Sequence, residues 1–154
     1  VSRYEGTLAA LRASVRTALA AVTGLGDSVS YEPPDTSGLS PDTAAQRVYV
    51  GITAVTARQS GRVEVPATMV LGAVTLTVRG YVRRQPDDRT RTIASGVPHS
   101  YDQALARAEL LLLQLYAAAP ISTSTLAVIQ EEALWRCEIT AQIEWAPTPA
   151  TPPS

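Results

Sequence analysis

The sequence predicts an α+β domain: a largely antiparallel sheet with an N-terminal helix and a second helix packed on it. Three observations carry that expectation. Apolar residues recur at helical spacing near the N-terminus and again after Ser100, and they alternate with polar residues in most of the remainder. Consecutive strand-like stretches are also joined by short turns, which favours antiparallel pairing. The length of 154 residues suits one domain, placed at 1–146, followed by a Pro-rich tail over 147–154 that reads as flexible.

The elements follow in chain order. Tyr4, Leu8, Leu11, Val15, Leu19 and Val22 line one face of a helix expected over 2–22. Ser2 and Glu5 have capping-box spacing, Gly24 marks the stop, and Arg12 and Arg16 point away from the apolar stripe. Residues 28–32 suit a short strand, and 33–42 a polar loop set by Pro33, Pro34, Gly38 and Pro41. A longer strand is expected over 46–58, with Val48, Val50, Ile52 and Ala54 on one side and Arg47, Tyr49, Thr53 and Val55 on the other. Gly61 turns the chain into 62–65, and Pro66 confines that piece to an edge or a strand end.

Alternation resumes over 70–84, where Val74, Leu76, Val78 and Val82 form a core face against Thr75, Thr77, Arg79, Tyr81 and Arg83. The polar loop 85–98 reads as a projecting arm or a mobile loop. A second helix then starts at Ser100, taken as its cap with Gln103 three residues on, and stops at Pro120. Its expected core stripe is Leu105, Ala108, Leu112 and Leu115, while Leu110 and Leu113 lie elsewhere. A helix apolar nearly all round wants cover on more than one side, and in a domain this small a second subunit can supply it. A short strand over 126–130, a turn at Glu131-Glu132 and a strictly alternating strand from Trp135 to Trp145 complete the domain.

Composition narrows the function. At 45% hydrophobic and 18% charged, the chain is not disordered throughout, and a net charge of −1 lacks the cationic excess of a chain-wide nucleic-acid binder. A single cysteine excludes a disulfide scaffold. Residues 1–22 lack signal-peptide features, and no apolar run approaches the about 20 residues that a spanning helix needs, so a cytoplasmic origin is expected. All 13 basic residues are arginine, and lysine, phenylalanine and asparagine are absent, as a GC-rich genome would produce.

Catalytic and metal chemistry find little to work with. His99 is the only histidine, beside Pro98 and close to Asp102, and reads as an ordinary loop residue. Cys137 falls on the apolar face of the last strand, where a thiol behaves as a small buried hydrophobe. No spacing suits zinc or calcium, and Gly24-Leu25-Gly26 follows a helix where a phosphate turn would open one. The sequence therefore predicts no catalytic residue, no cofactor and no metal. The arginines Arg79, Arg83, Arg84, Arg89 and Arg91 cluster about the 70–84 strand and its loop, offset by Asp87 and Asp88. They read as a solvated face, or as a positive surface that meets an acidic partner or passing DNA.

The order of elements resembles the tail terminator proteins of long-tailed bacteriophages: an amphipathic helix, a proline-rich loop, strands around 47–56 and 70–82, an arm, a helix opening Ser100-Tyr101-Asp102-Gln103-Ala104 and closing strands. The likeness covers about residues 2–146 and rests on layout, with no short diagnostic motif. It implies a virion protein without an active site, a subunit of a hexameric ring that caps the tail tube and offers a joining surface to the head. The implied partners are further copies of itself, the tail-tube protein and head–tail connector proteins, with DNA passing the lumen unread. Candidate contact residues are Arg79, Tyr81, Arg83, Arg84, Leu110, Leu113 and Tyr116. Three other readings stay open: another neck or tube component, a small-molecule-binding domain with a pocket between sheet and helices, or a small enzyme completed across a dimer.

Overall fold

The computed structural model describes residues 3–22, 29–30, 45, 47–60, 69–85 and 99–146, and its α+β architecture is the expected one. The expectations for Gly24, the loop 33–42, the piece 62–66, the arm beyond Gln85 and the tail 147–154 lie outside these residues. In chain order the elements are β1 (Tyr4–Glu5), α1 (Leu8–Ala20), β2 (Val29–Ser30), β3 (Val48–Ser60), β4 (Met69–Arg83), α2 (Ser100–Ala118), β5 (Ile121–Glu131) and β6 (Leu134–Ala146). The four long strands lie in the order β3-β4-β6-β5, each antiparallel to its neighbour. The two-residue strands β1 and β2 add parallel bridges at the margins, to β6 and β3.

The N-terminus differs from the helix and capping box expected over 2–22. Tyr4 and Glu5 pair with Trp145 and Ala146, and Gly6 turns the chain at φ 146°, a conformation that residues with a Cβ rarely adopt. Thr7 is the actual cap, its hydroxyl accepting from the Ala10 amide at 3.2 Å. Trp145 Nε1 donates to the Gly6 carbonyl at 2.9 Å, which ties the start of α1 to the end of β6.

Both helices lie on one face of the sheet. Leu11, Val15 and Leu19 of α1 and Leu111 and Leu115 of α2 meet Val48, Val50, Val74, Leu76, Val78, Ile139 and Ile143 in one cluster. Each of these side chains is fully or almost fully buried, and burial of one contributes roughly 1.5–3 kcal/mol. The period of two in β4 and β6 is what brings their apolar sets together: Val78 lies opposite Ile139 and Leu76 opposite Ala141. Arg12 does not simply face solvent; half-buried, its Nε donates to the Val50 carbonyl at 3.1 Å.

In β3 the expected faces hold as far as Ile52. There the register against β4 shifts, so that Ala54 opposes Thr75 and Val55 opposes Val74. A bulge of this kind exchanges the two faces beyond it. Val55 therefore moves to the helix-bearing side and Ala54 to the open one, contrary to strict alternation.

The stripe of α2 is also rotated from the one expected. Ser100, Ala104, Ala108, Leu111 and Leu115 are buried, whereas Leu105 is exposed and Leu112 half-buried. Small side chains at Ala104 and Ala108 let the helix approach Val82 and Cys137 closely. A leucine would hold it off. Ser100 is not the cap either: His99 Nδ1 accepts from the Tyr101 amide at 2.9 Å, and Ser100 is the first helical residue. Pro120 follows the end of α2 as expected, and the chain passes at once into β5, eleven residues long where a short strand over 126–130 was expected. Glu132, at φ 44°, forms the turn to β6.

Candidate functional site

The candidate residues fall on two opposite surfaces. Arg79, Tyr81 and Arg83 alternate on the sheet face away from both helices, whereas Leu110, Leu113 and Tyr116 lie on the outer side of α2. Arg84 belongs to neither. Its guanidinium lies 5.6 Å from the Trp135 ring and donates to the Glu132 carbonyl at 2.6 Å, anchoring the end of β4 to the β5–β6 turn.

The open face is a polar lattice. Arg79 Nε contacts Glu138 Oε2 at 3.1 Å, and its guanidinium carbon sits 5.9 Å from the Tyr49 ring. The same Glu138 oxygen lies 3.4 Å from Arg136 Nε, while Arg136 Nη1 bonds Glu131. Thr53 and Thr77 share a hydrogen bond at 3.1 Å, and Gln142 Nε2 donates to Thr75 Oγ1 at 2.9 Å. Glu138 and Glu131 thus match Arg79 and Arg136, the two cations that the β4–β6 register brings together here. Tyr81 corrects the expectation of a presented ring. It is only 4% exposed, packed with Leu134, and burial, then nearby Glu131, raises its phenol pKa.

The second surface is apolar. Among the described residues eight large hydrophobic side chains are exposed, and six of them belong to this surface: Tyr101, Leu105, Leu110, Leu113 and Tyr116 on α2, and Leu126 on the helix-bearing side of β5. Ile129, opposite Arg136, faces the open side, and Val55 lies on β3 at the other margin. Leu113 is the most open at 60%, and Leu110 and Tyr116 stand at 42% and 47% on either flank of the helix. Tyr116 Oη lies 2.9 Å from Ser124 Oγ, which joins the flank of α2 to β5. Sequence reasoning missed the β5 contribution. The signal was present in Leu126, set in a stretch with no charge before Glu131.

A cleft of about 400 Å³ opens where the far ends of β3, β4 and β6 meet, lined by Arg3, Arg58, Leu71, Glu144 and Trp145 among others. Gly72 lacks the Cβ that would overlap the Thr56 carbonyl and touch the Trp145 ring, so the strands close tightly beside the cleft. Neither His99 nor Cys137 reaches it: the first caps α2, and the second is buried with Sγ donating to the Ala104 carbonyl at 3.2 Å. Burial pushes the Cys137 thiol up to about 11, with Arg107 opposing the shift. Arg107 is lowered by its own burial and donates to the carbonyls of Ala45 and Tyr81 at 2.5 and 3.0 Å, a bracing role.

Among the described residues no group of three or more histidine, cysteine, aspartate or glutamate side chains is placed to hold a metal ion, and no helix is long and apolar enough to cross a membrane. Neither a family model nor a characterised protein sequence matches the chain.

Proposed function

We propose that this chain is a structural subunit of a ring that closes the tail tube of a long-tailed phage and joins it to the head. The reading combines the order of elements with one observation, the concentration of exposed apolar side chains on α2, with Leu126 on the same side of β5. Surface of that kind, gathered on adjacent elements of a small domain, favours burial against a partner. Repeated head-to-tail contacts of one such surface close into a ring when the rotation permits. In this reading the protein works through its interfaces within the virion, and its partners are further copies, the tube subunit and the connector. The open face, on which Arg79 and Arg136 are paired with Glu138 and Glu131, lets DNA pass without reading it.

The test is assembly. Light scattering and negative-stain microscopy, with and without purified tail tubes, are expected to give closed rings of this chain, free or seated on tube ends. A chain that stays monomeric in both conditions overturns the proposal. The cleft beside Trp145 favours a second reading, a small-molecule-binding domain. A ligand that raises the melting temperature and is lost on Arg58→Ala would support that reading instead.

A further inference from the structure

Among the described residues the sheet ends on two strands that are paired along one side only for most of their length. β5 pairs with β6 from Ile121 to Glu131, while β1 meets β6 only at Trp145 and Ala146, past the start of β5. At the other margin β2 meets β3 only at Val48 and Tyr49, and Arg12 occupies the Val50 carbonyl. Beyond that point six consecutive residues of β3, Thr53 to Arg58, are exposed. A covered strand hides every second side chain, so six in a row leaves both faces and the margin open. On β5, Ser122, Thr123, Thr125, Leu126, Ala127, Ile129 and Gln130 are exposed in the same way.

The β5 margin carries neither charge nor proline, and the β3 margin carries little of the usual protection. Free strand edges are commonly blunted by charges, proline or bulges. No charged residue or proline occurs from Ile121 to Gln130, and the 53–58 stretch of β3 has one charge, Arg58 at its end, and the bulge at its start. Strand direction then selects the partner. Because the four long strands alternate, β3 and β5 run in opposite directions. A second copy related by rotation about an axis along the strands keeps those directions, so its β3 meets β5 antiparallel. An odd number of long strands would have forced a parallel junction.

We infer that β5 of one copy pairs antiparallel with the 53–58 segment of β3 in the next, so that the sheet runs on from subunit to subunit. The inference rests on the ring reading and names the surface that each copy offers. The side chains agree with it. Val55, opposite Val74, and Leu126, opposite Ile139, both lie on the helix-bearing side. Val55 is also the one exposed large hydrophobic residue among those described that lies outside α2 and β5. Setting Val55 against Leu126 puts Thr56 against Thr125, both on the open face. A two-fold pairing of β5 with β5 would instead leave Val55 and its segment in solvent.

Hydrogen exchange on the assembled and monomeric full-length chain, with a cysteine pair at Thr56→Cys and Thr125→Cys, tests the junction. Directly opposed residues in an antiparallel pair bring their Cβ atoms within disulfide reach. The expected result is slower exchange in both 53–58 and 122–130 on assembly, and a ladder of covalent oligomers from the double variant but not from either single one. Rings whose two segments exchange as fast as in the monomer overturn the junction and leave the ring reading standing. Protection of 122–130 alone, with dimers from Thr125→Cys by itself, overturns it in favour of the two-fold pairing. Absence of assembly with tail tubes present overturns both.

Discussion

Trp135 Nε1 donates to Ser100 Oγ at 2.8 Å, and Ser100 is fully buried. One hydrogen bond thus seats the first turn of α2 on the start of β6. Tyr101 packs edge-on against the same indole, with ring centroids 5.2 Å apart. Ser100→Ala takes the acceptor from a half-buried indole N–H, and the loss of such a hydrogen bond costs about 1 kcal/mol. Urea unfolding followed by tryptophan fluorescence is expected to show that loss as a lower midpoint with an unchanged slope.

Leu111 and Leu113 are two residues apart and should behave as opposites. Leu111 is fully buried, and Leu111→Ala is expected to cost about 2–5 kcal/mol in the same assay. Leu113 is the most exposed large hydrophobic residue among those described, so Leu113→Glu should change monomer stability by roughly 0.5 kcal/mol or less. Light scattering should nonetheless show weaker assembly for Leu113→Glu, and for Leu110→Glu. Unchanged assembly would remove that residue from the contact surface.

Cys137 gives the fold a loss of stability at high pH. Its thiol titrates at about 11 when folded, against an unfolded value near 9.0, so the folded state holds the proton longer. The stabilisation is complete below the unfolded value and is lost as pH rises from there through the folded one. Up to about 2–3 kcal/mol is at stake at roughly 1.4 kcal/mol per unit. Stability measured at pH 8 and pH 11 should fall further for the natural chain than for Cys137→Ala. Thiol reagents should label Cys137 only after denaturation.

The Arg79–Glu138 pair is partly open to water, with side chains 33% and 24% exposed. A double-mutant cycle with Arg79→Ala and Glu138→Ala is expected to give a coupling of about 1 kcal/mol or less. Raising the salt concentration should shrink it. Glu138→Ala alone should cost more than Arg79→Ala, because Glu138 also faces Arg136.

What could be read from the sequence was what depends on period. The alternation of Trp135 to Trp145 and of Val74 to Val82 fixes which side chains are covered, and both strands lie in the interior of the sheet. The misses share one cause, a tertiary contact that local pattern does not encode. Ala104 and Ala108 look like weak core residues until Cys137 and Val82 are seen against them. The bulge after Ile52 turns Val55 over without any glycine or proline at Thr53 or Ala54 to announce it. His99 and Ser100 exchange expected roles because the Ser100 hydroxyl is needed by an indole 35 residues away. Of the candidate surface, the leucines of α2 were visible as surplus apolar residues. The β5 margin was not, because sequence alone does not say which strand ends a sheet.

The seam between β4 and β6 has a kinetic consequence. β5 and β6 are adjacent in the chain and close through the turn at Glu132, whereas β4 and β6 meet across separations such as the 67 residues between Thr75 and Gln142. Forming that seam closes a far longer loop than the β5–β6 turn, with α2 and β5 in the intervening chain, and so carries the larger chain-closure entropy. Refolding should therefore be paced by a late docking step, on the order of milliseconds to seconds. Until it completes, the apolar sides of both halves stand open to neighbouring chains.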